Sequence, residues 1–189
     1  GGRAGCVKET DISLSYSGAA MVRGGEIHRE IQAELPEGMR SEVKASLRFS
    51  GEYVDLRVSG RMDGYDEEKR HILEIKSTSM DIAELEEPWP IHLAQAILYA
   101  GYVRLETQAP AVVVEVLYVH AHTGEQRSFA QEFPAQEIEM RCRALIEPFI
   151  QRLDARFLHV QERNAALEPL DFPYPEFRPA QRSMAVQGY

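Results

Sequence analysis

The stretch that decides the fold is Val54 to Ser79, VDLRVSGRMDGYDEEKRHILEIKSTS. Val54, Leu56 and Val58 alternate with Asp55, Arg57 and Ser59, the period-2 pattern of a half-buried strand. Gly64-Tyr65-Asp66-Glu67-Glu68-Lys69-Arg70 reads as a solvated turn, and Ile72-Leu73-Glu74-Ile75-Lys76 as an apolar strand carrying two charges. Side chains two apart on a strand share a face. Ile72, Glu74 and Lys76 therefore point one way, and Leu73 and Ile75 the other. A hairpin brings Asp63 alongside, so two carboxylates and an ammonium are expected in one small volume.

That combination suits phosphodiester hydrolysis. Carboxylate oxygens hold Mg²⁺ or Mn²⁺, which polarises the phosphate and lowers the pKa of a bound water. A lysine beside the metal orients that water or offsets charge in the transition state. The competing reading is a surface ion pair in a β-hairpin, and Glu-x-Lys alone does not decide. The motif occurs at Glu42-Val43-Lys44, Glu67-Glu68-Lys69 and Glu74-Ile75-Lys76, and only the third lies in an apolar strand a hairpin's length after Gly60-Arg61-Met62-Asp63.

The 189 residues suffice for one domain with a proper core and a short appendage. Hydrophobic residues at 44% and charged residues at 27% fit a globular domain rather than a disordered chain. No apolar run reaches the length of a membrane-spanning helix and no signal-peptide pattern opens the chain, so no membrane partner and a cytoplasmic setting (bacterial, nucleoid-associated at most) are expected. Cys6 and Cys142 are too few and too far apart for an iron–sulfur cluster or a structural zinc. A net charge of -9 argues against binding nucleic acid by bulk electrostatics, so any DNA contact needs local basic patches.

Outward from the hairpin, Tyr16 to Glu34 reads as a helix bearing His28, with Gly24 and Gly25 either weakening it or marking a break. Ser41 to Phe49 is a strand with Val43, Ala45, Leu47 and Phe49 on one face. Met80 to Pro90 is a loop with a short helical stretch. Ile91 to Val103 is a helix with Leu93, Ala94, Ile97, Leu98 and Gly101 inside, and Gln95 and Tyr99 share a face. Ala111 to His120 reads as a central strand, and His120 and His122 fall at the turn into a strand from Arg127 to Phe133. Gln136 to Arg163 is a long helix, with Ile138, Leu145, Phe149, Leu153 and Phe157 expected inside and a kink expected at Pro148. Its Arg141, Arg143, Arg152, Arg156 and Arg163 form the densest basic cluster, either a solvated face or a phosphate contact. Beyond it, Leu170 to Gln181 has aromatics and prolines and no period.

His28, then Gly60-Arg61-Met62-Asp63, then Glu74-Ile75-Lys76, then Gln95-Ala96-Ile97-Leu98-Tyr99 together resemble the RecB-like branch of the PD-(D/E)XK nuclease superfamily. The resemblance spans about Gly24 to His120. It implies an α/β fold with a restriction-endonuclease-like core, a mixed central β-sheet flanked by α-helices. It also implies that His28, Asp63, Glu74 and the Ile75 carbonyl ligate Mg²⁺ or Mn²⁺, that Lys76 positions or activates the attacking water, and that Gln95 and Tyr99 support the site and contact DNA. Met62 stands where the superfamily name expects proline. The four-cysteine cluster of many relatives is missing.

The segment Phe172-Pro173-Tyr174-Pro175-Glu176-Phe177-Arg178-Pro179-Ala180-Gln181 is similar to the opening of XPD/DinG-like superfamily 2 helicases, where Arg178 and Gln181 resemble adenine-recognising residues. The phosphate-binding loop Gly-x-x-x-x-Gly-Lys-[Ser/Thr] is absent, so ATP would serve only a full-length helicase. Residues 1–165 are thus expected to be a nuclease domain, and 166–189 a linker and the start of a helicase domain that is cut off. The expected function is metal-dependent cleavage of DNA, single-stranded or unwound, in repair or recombination. Two alternatives stand beside it. One is a catalytically inactive DNA-binding or regulatory module of a helicase, and the other a carboxylate-pair hydrolase acting on sugars without a metal.

Overall fold

The computed structural model describes residues 18–170 with 180, 181 and 183, and side chains from residue 24 onward. The expectations for the first 17 residues and for most of the proline-rich segment, Arg178 included, lie outside the described residues.

Five strands form one sheet in sequence order: β1 (Met39–Ser50), β2 (Asp55–Asp66), β3 (His71–Thr78), β4 (Ala111–His120) and β5 (Gln126–Pro134). The β3–β4 pair is parallel and the other three are antiparallel. A parallel pair needs a long crossover, and α2 (Pro90–Thr107) supplies it after a single 3₁₀ turn at Ile82–Glu84. Pro90 opens α2, where its missing N–H costs nothing, and Gln108 ends it in the left-handed conformation. The chain is α/β, a mixed sheet flanked by helices, as its alternating and helical periods predict.

The sheet has two unequal cores. On one face α2 and α3 (Ala135–Leu167) bury Met62, Ile72, Val114, Val116 and Tyr118 against Ala96, Ile97, Ala100, Val103, Ile138 and Cys142. On the other, α1 (Gly18–Ala33) places Ile27 on Leu73, Ile75, Leu117 and Val119. Gly24 and Gly25 do not break α1. A Cβ on Gly24 would come within 3.1 Å of the Ser77 hydroxyl, so this glycine lets the helix settle onto β3.

Several boundaries move. The turn between β2 and β3 is only Glu67 to Arg70, and Gly64, Tyr65 and Asp66 are buried strand residues. Asp66 is polar because it closes that turn: its carboxylate accepts the Lys69 backbone N–H at 3.1 Å and the Lys69 ammonium at 2.8 Å. In α2 the fully buried positions are Ala96, Ile97, Ala100, Gly101 and Val103, whereas Leu93, Ala94 and Leu98 are half-buried. In α3 the buried stripe is Ile138, Cys142, Ile146 and Ile150. Phe149 and Leu153 are exposed, Leu145 and Phe157 are half-buried, and the helix runs on through Pro148.

A fork in the sheet positions the site. β1 and β2 pair over their whole lengths, but β2 and β3 pair only at Gly64–Leu73, Tyr65–Ile72 and Asp66–His71. Beyond Gly64 the two strands part, β2 staying with β1 and β3 with β4. At the point of divergence Glu42 has a φ of +54° and its pairing with Asp63 drops out of the ladder. The alternation of faces slips there, so that Met62 and Tyr65, three apart, both join the larger core.

Candidate functional site

The fork gathers the charged residues of both strands. Asp63 sits where alternation slips, and its carboxylate turns toward β3. Oδ2 accepts the Ile75 backbone N–H at 2.8 Å, the bond a paired strand would otherwise supply. Oδ1 lies 3.2 Å from Nδ1 of His28, brought over the fork by α1. An extended residue sends its N–H and C=O to the same side, so the Ile75 carbonyl opens into the fork as well. Gln32 of α1 donates to the Asp63 backbone carbonyl at 3.3 Å and steadies this corner.

On the face toward α2, Lys76 donates to Glu74 Oε1 at 2.6 Å and to Gln95 Oε1 at 3.1 Å. Gln95 in turn donates to the Tyr99 hydroxyl at 3.3 Å. The Tyr99 ring rests on the β2 backbone at Gly60, where a Cβ would lie 2.6 Å from the hydroxyl. A continuous line of contacts therefore runs from the carboxylate through Lys76, Gln95 and Tyr99 to a glycine with no room for a side chain.

Glu74 is 1% exposed. Burial pushes its carboxyl up to about 7 and Asp63 adds to the rise, while Lys76 and His28 oppose it. Its Oε2 is buried without a hydrogen-bond partner. The hydrogen bond to Asp63 raises the His28 pKa above its ordinary value, against burial. Burial likewise raises the Tyr99 phenol.

Among the described residues no three His, Cys, Asp or Glu side chains stand close enough together to chelate a metal as they lie. His28 holds one carboxylate and Lys76 the other, and both would turn aside for a cation. The donors nonetheless fit a hard divalent ion. Asp63 and Glu74 offer carboxylate oxygens, His28 a ring nitrogen and Ile75 a carbonyl, and the orphaned Oε2 of Glu74 is a buried acceptor without a donor.

The fork thus brings together His28, Asp63, Glu74, Ile75, Lys76, Gln95 and Tyr99. It leaves out His120 and His122, whose rings meet edge to face 5.8 Å apart at the β4–β5 turn. Of the α3 arginines, Arg141 pairs with Glu137 and Arg143 with Glu139, one helical turn away, and Arg163 bonds the neighbouring Asn164.

His92 is a residue the sequence reading passed over. It lies on the α2 face of Gln95 and Tyr99, and burial, with Lys76 adding to it, lowers its pKa to about 4. Its Nδ1 is 2.9 Å from the hydroxyl of Tyr118, which also accepts the Trp89 N–H at 2.9 Å. One of the two donates across that contact, and the tautomer of His92 sets which. Its spacing of three before Gln95 was the available signal.

No family model matches the sequence, and no curated protein matches it. A solved structure described as the crystal structure of SSO0001 matches with a TM-score of 0.51 at 18% identity, over 72% of this chain. This chain spans 62% of the length of that one. The likeness is one of fold: the α/β sheet and its helices are shared with a protein of little sequence similarity.

Proposed function

We propose that this chain is a divalent-metal-dependent deoxyribonuclease domain that hydrolyses phosphodiester bonds, working in a helicase–nuclease on single-stranded or unwound DNA in repair or recombination. The observation that carries the reading is Glu74: a carboxylate buried to 1% exposure, one oxygen held by Lys76 and the other without a partner, beside Asp63 in an opened sheet. A structural ion pair has no use for the orphaned oxygen, and burying it costs stability.

A bound Mg²⁺ or Mn²⁺ supplies Lewis-acid polarisation of the phosphate and a lower pKa for water. The chain's own residues do the positioning. The Ile75 N–H fixes the Asp63 carboxylate, and burial keeps Glu74 eager for a cation. An ammonium has three donors; Glu74 and Gln95 take two from Lys76, leaving the third for a water or a non-bridging phosphate oxygen. Gln95, anchored by Tyr99, gives Lys76 a second acceptor that fixes where its head points. His92 presents a neutral imidazole nearby at physiological pH.

Single-stranded DNA cleavage with Mn²⁺, Mg²⁺ or EDTA tests this, with Lys76→Ala as control. Metal-dependent cutting is expected, with Asp63→Ala and Glu74→Ala losing both metal binding and cutting. Lys76→Ala should keep the metal and lose about two to four orders of magnitude in rate. Wild-type cutting in EDTA, or at an undiminished rate in Lys76→Ala, would refute the assignment. The second reading, a DNA-binding or regulatory module of a helicase, would show as DNA binding without cutting under every metal.

A further inference from the structure

The β1–β2 hairpin carries a feature the fork does not explain. On the face turned away from the larger core, Lys44 lies directly opposite Arg61, Ser46 opposite Ser59, and Arg48 opposite Arg57. All six residues are exposed. Two pairs of cations with a pair of hydroxyls between them thus form a ladder roughly 14 Å long at about 3.4 Å per residue. Like charges directly opposite on a sheet destabilise it. A chain with net charge -9 has carboxylates enough to place there instead.

Arg61 pairs with Glu42 at 3.1 Å. Among the described residues Lys44, Arg48 and Arg57 lie within ion-pair distance of no carboxylate. The ladder's upper rung, Lys44 and Arg61, is one step along the strands from Glu42 and Asp63. Its face is the one α1 approaches at that end, since Gln32 of α1 donates to Glu42 at 3.1 Å. Whatever lies along the ladder is led to the fork.

We propose that this ladder is the track for the phosphate backbone of a single nucleic-acid strand entering the fork. The proposal rests on the nuclease reading for the direction of the strand, while the binding surface stands on its own charge pattern. A polyanion is the occupant the charges call for. The serine pair adds hydroxyl donors between the cations, so every rung offers groups that bond phosphate oxygens and none carries an aromatic ring on which a base could stack. The track should therefore bind without sequence preference and with strong salt dependence. The basic patch that the composition demands is on the sheet, next to the fork; in α3, Arg141 and Arg143 are tied to glutamates.

The test is fluorescence-anisotropy titration of labelled oligothymidylate in EDTA across a salt series. Arg48→Gln/Arg57→Gln removes the rung far from the fork, and Lys44→Gln/Arg57→Gln takes one cation from each rung. Each double variant should bind at least about tenfold more weakly at low salt, with the slope of log K against log salt shallower by about 1.4, since a single-strand phosphate contact contributes about 0.7. Thermal unfolding should be unchanged or shifted upward, because opposed like charges are removed. Wild-type affinity and slope in both variants would overturn the track, as would polyglutamate bound by the wild type as tightly as the oligonucleotide.

The titration contains no metal, so it is independent of hydrolysis. A wild type that never cuts, yet binds DNA with a slope the variants reduce, keeps the track and removes the nuclease. A wild type that cuts with metal, alongside variants that bind undiminished, removes the track and keeps the nuclease.

Discussion

Glu74 is costly to ionise, because burial disfavours its charged form. Its pKa in the folded chain, pushed up to about 7, lies above its ordinary value of 4.5. Below pH 4.5 the group is protonated whether folded or unfolded and imposes no penalty. As pH rises toward 7 the unfolded chain gives up the proton and the folded one resists, so stability falls across that window. Raising the carboxyl from 4.5 to about 7 costs about 3 kcal/mol of stability once the pH is above 7. Glu74→Gln removes the ionisation and should raise the unfolding temperature at pH 8 while changing it little at pH 4.5. Equal effects at both pH values in calorimetry would mean that burial is not what sets the Glu74 pKa. Mg²⁺ or Mn²⁺ should stabilise the wild type at pH 8 and not the variant, because a cation is what a buried carboxylate lacks.

At the scale of elements, the fork depends on how closely α2 approaches β2. Gly60 permits that approach, and Tyr99 fills the space. Gly60→Ala drives a methyl to 2.6 Å from the Tyr99 hydroxyl, and Tyr99 moves. Overpacking of this kind costs about 1–3 kcal/mol. The displaced tyrosine would also release Gln95, and with it Lys76. In a Tyr99→Phe background the closest contact is gone, so the same substitution should cost measurably less. Additive costs in the double-mutant cycle would mean that Gly60 and Tyr99 are not coupled.

The same scale shows what the sequence could express. Strand alternation placed Ile72, Glu74 and Lys76 on one face because a strand between two layers keeps its period. It could not orient Asp63, since the left-handed Glu42 opposite makes the faces slip at that rung. Gly64, Tyr65 and Asp66 read as turn because their polarity is the same whether it meets water or closes a buried turn. In α3 two apolar stripes share the helical period, and periodicity cannot choose between neighbours. The buried stripe is Cys142, Ile146 and Ile150: Gly101 of α2 makes room for the first, its absent Cβ being 2.8 Å from the Cys142 sulfur, and Gly51 for the last, its absent Cβ being 2.6 Å from Cγ2 of Ile150. Phe157 finds a separate partner, stacking on Tyr53 of the hairpin tip at 5.7 Å. Next to it the Asp154 carboxylate accepts the N–H groups of Glu52, Tyr53 and Val54, a contact about a hundred residues apart that no local pattern signals.

For the whole molecule, the unequal cores have a functional consequence. The larger core, between the sheet and α2 with α3, holds Glu74, Lys76, Gln95 and Tyr99. Among the described residues, the smaller one attaches α1, and with it His28, through one buried side chain, Ile27, aided by half-buried Ile31 and by Leu35 just beyond the helix. Proteins open in parts, and the layer with least buried apolar area opens first. The site is therefore split between a firm half and a loosely held half. Ile27→Ala should cost the α1 layer about 2–5 kcal/mol while leaving the larger core closed. Amide exchange in α1 should accelerate by the corresponding factor, with β3, β4 and α2 little affected. Metal affinity should fall, because each opening carries His28 away from Asp63. Acceleration spread evenly over the sheet would mean that the two faces unfold as one unit, and α1 could not then act as a separately hinged half of the site.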